Sequence, residues 1–395
     1  MTTDSPERPD SRRSWLVALV GALGMVFTFG TPLSYGIFRE PFSEAFGIAP
    51  VTLSSVFSVM LFTFFIGSGA VGVFAARIPA RAVIVTCAAT AGLIAPSLYV
   101  AESYLGLTVV FALLGLALGT VYVLLASIVP RWFDERRGAA TGLIFVGNGL
   151  GLFLLPPIWQ SVIARFGVRR GFLLVMSVTA VAFLLAGLAC RRPRWADGST
   201  ATTGELLEWV GELAGTRTFK LLFVGIALAF SWYQLLAAFA IDLFAARGLS
   251  ASAASTAFGL VGGVSIISRI GGGYIADEVG ARRAFLASLG CSVAGVVLLF
   301  ASQLSVLAVG VFLLGLGLGG TATLYIPLLM GIYGTDKDTA IVGLFNVAAG
   351  ISALAMPPLG TASVAYTDGY AVAVALTFAV TVASFCLITV GTRPG

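Results

Sequence analysis

The sequence contains no histidine, and only 10% of its 395 residues are charged. A soluble domain carries about 25% charged residues, so this chain has too little polar surface to face water all round. Without histidine, no side chain changes its charge near neutral pH by its ordinary pKa. The four cysteines, Cys87, Cys190, Cys291 and Cys386, each sit in a different apolar run. They show neither metal-ligand spacing nor a disulfide framework and read as small apolar side chains, so no metal site is expected. A phosphate-cradling glycine loop followed by Lys-Ser/Thr is also missing, which excludes an ATP-driven pump of the usual kind. Nor do His, Asp, Ser and Cys cluster at one depth, as a membrane-embedded enzyme would require. The expectation is a protein that is not an enzyme and holds no cofactor.

What is abundant is hydrophobicity: 58% of residues, with mean hydropathy +1.00. Apolar runs of about 18–25 residues recur along the chain, each long enough to cross roughly 30 Å of hydrocarbon as a helix. Barrel strands would alternate over about ten residues, and these runs do not. The runs predict twelve spans over 15–38, 52–74, 82–100, 105–129, 138–163, 171–190, 219–244, 253–275, 284–301, 304–332, 339–364 and 369–391. Residues 1–14, polar with proline and mixed charge, are expected to form a disordered tail. The run from Trp15 is too long for a signal-peptide core and lacks a small-residue cleavage site.

The longest polar stretch, 191–218, separates the sixth and seventh spans and predicts a linker between an N-terminal bundle, 15–190, and a C-terminal bundle, 219–391. Within it, Glu205 to Glu212 combines apolar and acidic residues suited to a short interfacial helix. Net charge is +5. With both ends cytoplasmic, Arg8, Arg12, Arg13, Arg77, Arg81, Arg131, Arg136, Arg137, Arg191, Arg192, Arg194, Arg217, Lys220, Arg282, Arg283, Lys337 and Arg393 fall inside, against Arg39, Arg165, Arg169, Arg170 and Arg247 outside. That bias predicts cytoplasmic termini in a cell membrane, and it makes the basic balance a matter of topology rather than of nucleic-acid binding.

The two halves match at an offset of about 200 residues. Leu113–Gly119 aligns with Leu313–Gly319, and Gly142 and Pro156-Pro157 with Gly343 and Pro357-Pro358. Gly24, Phe29, Phe38 and Gly47 meet Gly225, Phe230, Phe239 and Gly248. Single matches between apolar helices are weak, but a near-constant offset across four regions is not. It predicts an all-α membrane protein of two six-helix parallel repeats, the architecture of secondary transporters, with substrate near the midplane between the halves. Glycines and the paired prolines are expected to permit close packing and helix bending.

After span eight comes Gly273-Tyr-Ile-Ala-Asp277-Glu-Val-Gly280-Ala-Arg282-Arg283. This resembles the loop signature of the major facilitator superfamily, in which an acidic residue ends one helix, a glycine turns the chain and arginines anchor the inner surface. The first-half copy is degraded, with Ala76 in place of the Asp and Pro79 in place of the turn glycine. In the family this loop latches the halves on the cytoplasmic side, so the resemblance gives the second copy more of that role. A narrower likeness lies in Arg131-Trp-Phe-Asp-Glu-Arg136-Arg137-Gly138 through Gly142, Gly147 and Gly151, together with Phe29-Gly, Ser34–Phe38 and Glu44–Gly47. These segments and Arg269 resemble the monocarboxylate transporter and oxalate/formate antiporter branch.

Arg269 lies inside span eight, about 9 Å from its cytoplasmic end at 1.5 Å per residue. A guanidinium there is unfavourable unless it meets a wet cavity or an anion, and its planar fork suits a carboxylate. In the branch, an arginine at the matching position binds the substrate carboxylate; snorkelling to the headgroups is the competing reading. Tyr122, Tyr325, Asn148, Asn346 and Gln234 are further candidates for substrate contact, with local helix–helix hydrogen bonding as the alternative for each. Tyr122 and Asn346 lead them, because spans four and eleven border the cavity in this superfamily.

The pattern departs from the branch in three places. Proton-coupled members carry an Asp four residues before the helix-eight Arg, where this chain has Ser265; span one lacks their lysine, and span eleven lacks the antiporter's second cation. One buried cation favours a monoanion over a dicarboxylate by charge matching. Asp242, near the outer end of span seven, is the sole candidate carboxylate within a span. The resemblance therefore implies a monomeric secondary or facilitative transporter of a small organic anion, most simply a monocarboxylate, working by alternating access in the lipid bilayer. A proton or counter-anion as coupling partner stays open. Efflux of drugs or other apolar solutes, or a transporter-like sensor, is the alternative.

Overall fold

In the computed structural model, residues 8–74, 79–191, 193, 203–334 and 338–393 are described. Of the positions singled out above, Ala76, Arg77, Arg192, Arg194 and Lys337 lie outside them. The described residues form helices α1 Arg12–Leu33, α2 Tyr35–Phe46, α3 Pro50–Phe74, α4 Ala80–Ile94, α5 Tyr104–Ile128, α6 Arg137–Ala189, α7 Thr203–Gly215, α8 Arg217–Leu236, α9 Ala240–Ala246, α10 Ala251–Val279, α11 Ala281–Leu298, α12 Leu304–Tyr333, α13 Asp338–Thr367 and α14 Ala371–Gly391. Helices suit lipid because every backbone group finds a partner within its own segment.

Eleven of the described helical segments are long and apolar enough to cross a membrane. One of them, Ala140–Ala189, is 50 residues long, about 75 Å at 1.5 Å per residue and far beyond one bilayer. It is two spans: Gly167 leaves helical geometry at φ 75°, ψ 172°, a conformation glycine adopts without a Cβ penalty. Twelve spans result. The helix stays helical through Pro156 and Pro157, and α13 likewise runs through Pro357 and Pro358.

Three boundaries differ from the sequence reading. Span one is interrupted at Ser34, just after Pro32, where the Ser34 hydroxyl donates to the Gly30 carbonyl at 2.6 Å and competes with the helix ladder. Its repeat mate, span seven, is broken over 237–239 before α9 begins. At the N-terminus, the expected disordered tail ends earlier than residue 14: Ser11 caps α1 by accepting from the Ser14 N–H. Asp10 accepts from the backbone N–H groups of Asp134 and Glu135, tying the start of the chain to the loop after α5. The expected linker helix is present as α7, with Trp209 and Leu213 packed on the second half.

Each half is held by the same device. Gly115 and Gly119 of α5 lie so close to α3 that a Cβ would sit 2.0 Å from the Met60 oxygen and 1.9 Å from the Phe64 oxygen. In the second half, a Cβ on Gly319 of α12 would sit 2.1 Å from the Ser265 oxygen of α10. Small residues four apart let helix backbones approach where lipid offers no hydrophobic drive to associate. Between the halves, α3 packs on α13 and α6 on α10.

The apolar core is also informative. One cluster runs through the whole first half and into the second-half ends of the helices remote from the chain termini. The terminus-side ends of the second half, including Phe219, Phe285, Leu329 and Phe345, form a separate cluster. The halves are therefore knitted together on the face opposite the termini. There α2 meets α9, and Arg39 pairs with Asp242 and donates to the Ala238 carbonyl at 3.3 Å.

Candidate functional site

A cavity of about 30 Å³ lies between the halves, lined by Phe29 and Leu33 of α1, Leu61 and Phe65 of α3, Tyr122 of α5 and Asn148 of α6. The second half contributes Ala229, Phe230, Tyr233 and Gln234 of α8, Arg269 of α10, and Leu318, Thr321 and Ala322 of α12. Its walls are rings. Phe29 meets Tyr122 at 5.4 Å between centroids and Phe64 at 4.9 Å, while Phe65 meets Phe230 across the two halves at 6.0 Å.

Arg269 is the cavity's charge, and it is 4% exposed. Because α10 continues to Val279, Arg269 stands ten residues from the helix end, about 15 Å, rather than the 9 Å expected from the sequence. Its side chain is buried among protein groups inside the bundle rather than exposed on the bundle's outer surface. Its Nε donates to Ser265 Oγ at 3.3 Å, and its guanidinium carbon lies 5.9 Å from the Phe145 ring centre. Ser265, fully buried, donates in turn to the Gly262 carbonyl at 2.6 Å. Among the described residues no carboxylate pairs with Arg269. A neutral serine in place of an aspartate orients the guanidinium without cancelling its charge.

Three other sequence candidates line the cavity with it. Tyr122 faces Phe145 as well as Phe29. Gln234 is held from behind: its Nε2 donates to the Ala349 carbonyl at 3.3 Å, and its Oε1 accepts from Ser352 at 3.1 Å. Asn148 is 1% exposed, and neither its Nδ2 nor its Oδ1 has a hydrogen-bond partner. Asn346 and Tyr325 are not among the lining residues. Tyr325 donates to Asn346 Oδ1 at 3.3 Å and packs edge-on against Phe230, so the two are bonded to each other one layer behind the wall. The sequence reading missed Phe29, Phe65, Phe230, Tyr233 and Thr321 as lining groups. A signal existed for two of them, since Phe29 and Phe230 are repeat mates.

The loop motif is at the terminus-side end of α10. Gly280, at φ 88°, turns the chain from α10 into α11, the role the spacing assigns it. Arg282 donates to Thr392 Oγ1 at 2.7 Å and to the Thr389 carbonyl at 3.3 Å, holding α11 to α14 within the second half. Asp277 is exposed and pairs with no described residue, Arg283 is exposed as well, and a Cβ on Gly273 would meet open space. Among the described residues, none of these is seen to bond across to the first half.

Comparison with known proteins agrees with this architecture. The Major Facilitator Superfamily profile matches residues 15–357, and again 221–395. The chain belongs to the Major Facilitator Superfamily. As a superfamily member it is a multi-pass membrane transporter and not an enzyme. It is 28% identical over 278 residues to the MFS-type transporter pytF of Aspergillus terreus, covering 68% of this chain and 90% of that protein. To monocarboxylate transporter 9 of Mus musculus it is 27% identical over 195 residues, 48% of this chain but only 37% of that protein. The nucleoside transporter NupG superposes with a TM-score of 0.74 over 97% of this chain and 100% of that one, at 11% identity, a likeness of fold alone.

Proposed function

We propose that this transporter carries a small organic monoanion, a monocarboxylate, by alternating access, with Arg269 binding the carboxylate. The observation that carries the reading is a buried guanidinium in a central cavity with no described counter-charge. A charged side chain at the centre of a spanning helix is unfavourable by about 2.5–3.5 kcal/mol even on insertion scales. An anionic substrate offsets that cost, and a carboxylate matches the arginine fork in two parallel hydrogen bonds. Gln234, Asn148 and Tyr122 stand ready as neutral contacts, while Asn346 and Tyr325 act through Phe230. Sequence likeness to proteins named monocarboxylate transporters supports the same substrate class.

The moving bodies in this reading are residues 15–190 and 219–391, joined by 191–218. Both termini are cytoplasmic in a cell membrane, as the arginine distribution favours, so the Arg39–Asp242 contact closes the outer face. Gly273, Asp277, Gly280, Arg282 and Arg283 form the inner gate, with Asp277 free to meet the first half when that face closes. A second reading, efflux of apolar solutes, draws on the aromatic walls. Uptake of labelled monocarboxylates into proteoliposomes separates the two. Saturable flux that falls at least tenfold in Arg269→Gln supports the anion site. Undiminished flux in the variant, or no carboxylate flux in the wild type, sinks it.

A further inference from the structure

We propose that the monoanion is an aryl monocarboxylate bearing a neutral hydrogen-bonding group, and that Asn148 reads that group. This rests on Arg269 being the carboxylate anchor and names what surrounds the carboxylate.

Five of the lining side chains are aromatic: Phe29, Phe65, Tyr122, Phe230 and Tyr233. In this conformation the free space is only about 30 Å³, and Phe65 of one half touches Phe230 of the other. A substrate therefore has to part these two rings. A short hydroxy acid separates them and leaves their faces against a polar guest. An aryl ring inserts between them and restores edge or face contact on both sides, the arrangement aromatic pairs prefer. Because one wall belongs to each half, the same ring holds the halves together around a loaded site.

Asn148 supplies the second recognition element. Its amide is buried with donor and acceptor both unused, and such a group is expected to find a partner. The tyrosine hydroxyl of Tyr233, also on the cavity, is unpartnered as well. Asn148 stands beside the arginine's helix: a Cβ on neighbouring Gly149 would lie 2.6 Å from Ile266 Cγ1 and 3.3 Å from Ser265 Oγ. An amide that both donates and accepts suits a hydroxyl, oxo or amide substituent. With no second cation and no carboxylate in the lining, a further charge on the substrate has no complement.

The test compares uptake of labelled phenylacetate, mandelate, 4-hydroxyphenylacetate, phenylpyruvate and lactate in proteoliposomes, for the wild type, Asn148→Leu and Phe65→Leu. Wild type should show a KM for at least one oxygen-bearing aryl acid about tenfold or more below those for phenylacetate and lactate, since a site built to hydrogen-bond a substituent discriminates against the analogue lacking it. Asn148→Leu should erase that preference, so that the oxygen-bearing acids and phenylacetate show the same KM within the variant. Phe65→Leu should weaken the aryl acids by a larger factor than lactate, which keeps the proposal open to refutation if the asparagine variant fails to fold. Lactate preferred over every aryl acid, or equal losses for all substrates in both variants, overturns the proposal while leaving the carboxylate reading intact. Absence of any carboxylate flux, or flux indifferent to Arg269→Gln, removes the reading beneath it as well.

Discussion

Replacing Gly319 by alanine tests whether the helix crossing that supports Arg269 is as close as described. An alanine Cβ there would lie 2.1 Å from both the Ser265 carbonyl oxygen and Ser268 Oγ, whereas ordinary contact begins at 3.4 Å. The hydroxyl can rotate away, but the carbonyl is helix backbone. Relief of the remaining overlap requires α12 to retreat from α10 by 3.4 minus 2.1, about 1.3 Å. Overpacking of this kind destabilises by about 1–3 kcal/mol. It acts on the residue that hydrogen-bonds Arg269 Nε, so transport should fall along with stability. Gly142→Ala is the control, because nothing lies within 4 Å of its Cβ position, and alanine gains about 1 kcal/mol of helix propensity over glycine. Thermal denaturation in detergent, followed by the monodisperse fraction, ranks Gly319→Ala below wild type and Gly142→Ala at or above it. Proteoliposome uptake should fall for the first and hold for the second. If the two variants behave alike in both assays, the close α10–α12 crossing is not what positions the arginine.

Two further outcomes follow from contacts outside the cavity. Arg39 and Asp242 side chains are 13% and 28% exposed, so Asp242→Asn leaves a largely buried cation without its partner. At about 1.5–3 kcal/mol for a charged hydrogen bond, the equilibrium should move about tenfold or more towards separation of α2 from α9. Disulfide trapping between Gly36→Cys and Ile241→Cys should drop in that background and recover in the charge-exchanged Arg39→Asp, Asp242→Arg protein; unchanged trapping refutes the latch. At the other face, burial acts to raise the Asp10 carboxyl, but the backbone N–H groups of Asp134, Glu135 and Arg136 outweigh it and hold it below its ordinary value. A depressed carboxyl binds fewer protons folded than unfolded, so its stabilisation is full above the ordinary carboxylate range and lost as pH falls through the lowered value. Proteolysis of the N-terminal segment should accelerate on acidification in wild type and depend less on pH in Asp10→Asn.

Spans and repeats were legible because each rests on a local signal. A bilayer requires a minimum apolar length, and helix crossings require glycines at fixed spacing, as Gly115/Gly119 and Gly315/Gly319 show. Arg269 was legible for a related reason: a charge inside a span is rare enough to point at a site. What escaped were properties set between helices. Neither the Arg39–Asp242 pair, 203 residues apart in sequence, nor the Tyr325–Asn346 bond announces itself in an apolar run. Phenylalanines are equally at home in lipid, in a core or on a cavity wall. Phe65 could be assigned to the wall only once Phe230 was seen opposite it. The breaks at Ser34 and 237–239 were hidden because apolar composition continues across them, and composition reports depth in the membrane rather than helix continuity.

The repeat also explains where chemistry can enter such a scaffold. Moving 201 residues along the chain takes Phe29 to Phe230 and Leu33 to Gln234, and moving 200 takes Tyr122 to Ala322; all six of these residues line the cavity. The walls are thus the same surface used twice. Two similar halves facing each other would build a symmetric, nearly apolar chamber with no preferred orientation for a guest. Orientation comes from positions where the copies differ. Arg269 stands opposite Ser68 in the alignment, Asn148 opposite Ala349, Gln234 opposite Leu33 and Tyr122 opposite Ala322. In two of these pairs the polar group comes from the second half, and in two from the first. A guest that binds Arg269 and Asn148 together is gripped by both moving bodies, on either side of the seam where α10 meets α6. That bridging is what a rocking mechanism requires, because only a ligand that touches both halves can favour the state in which they close around it.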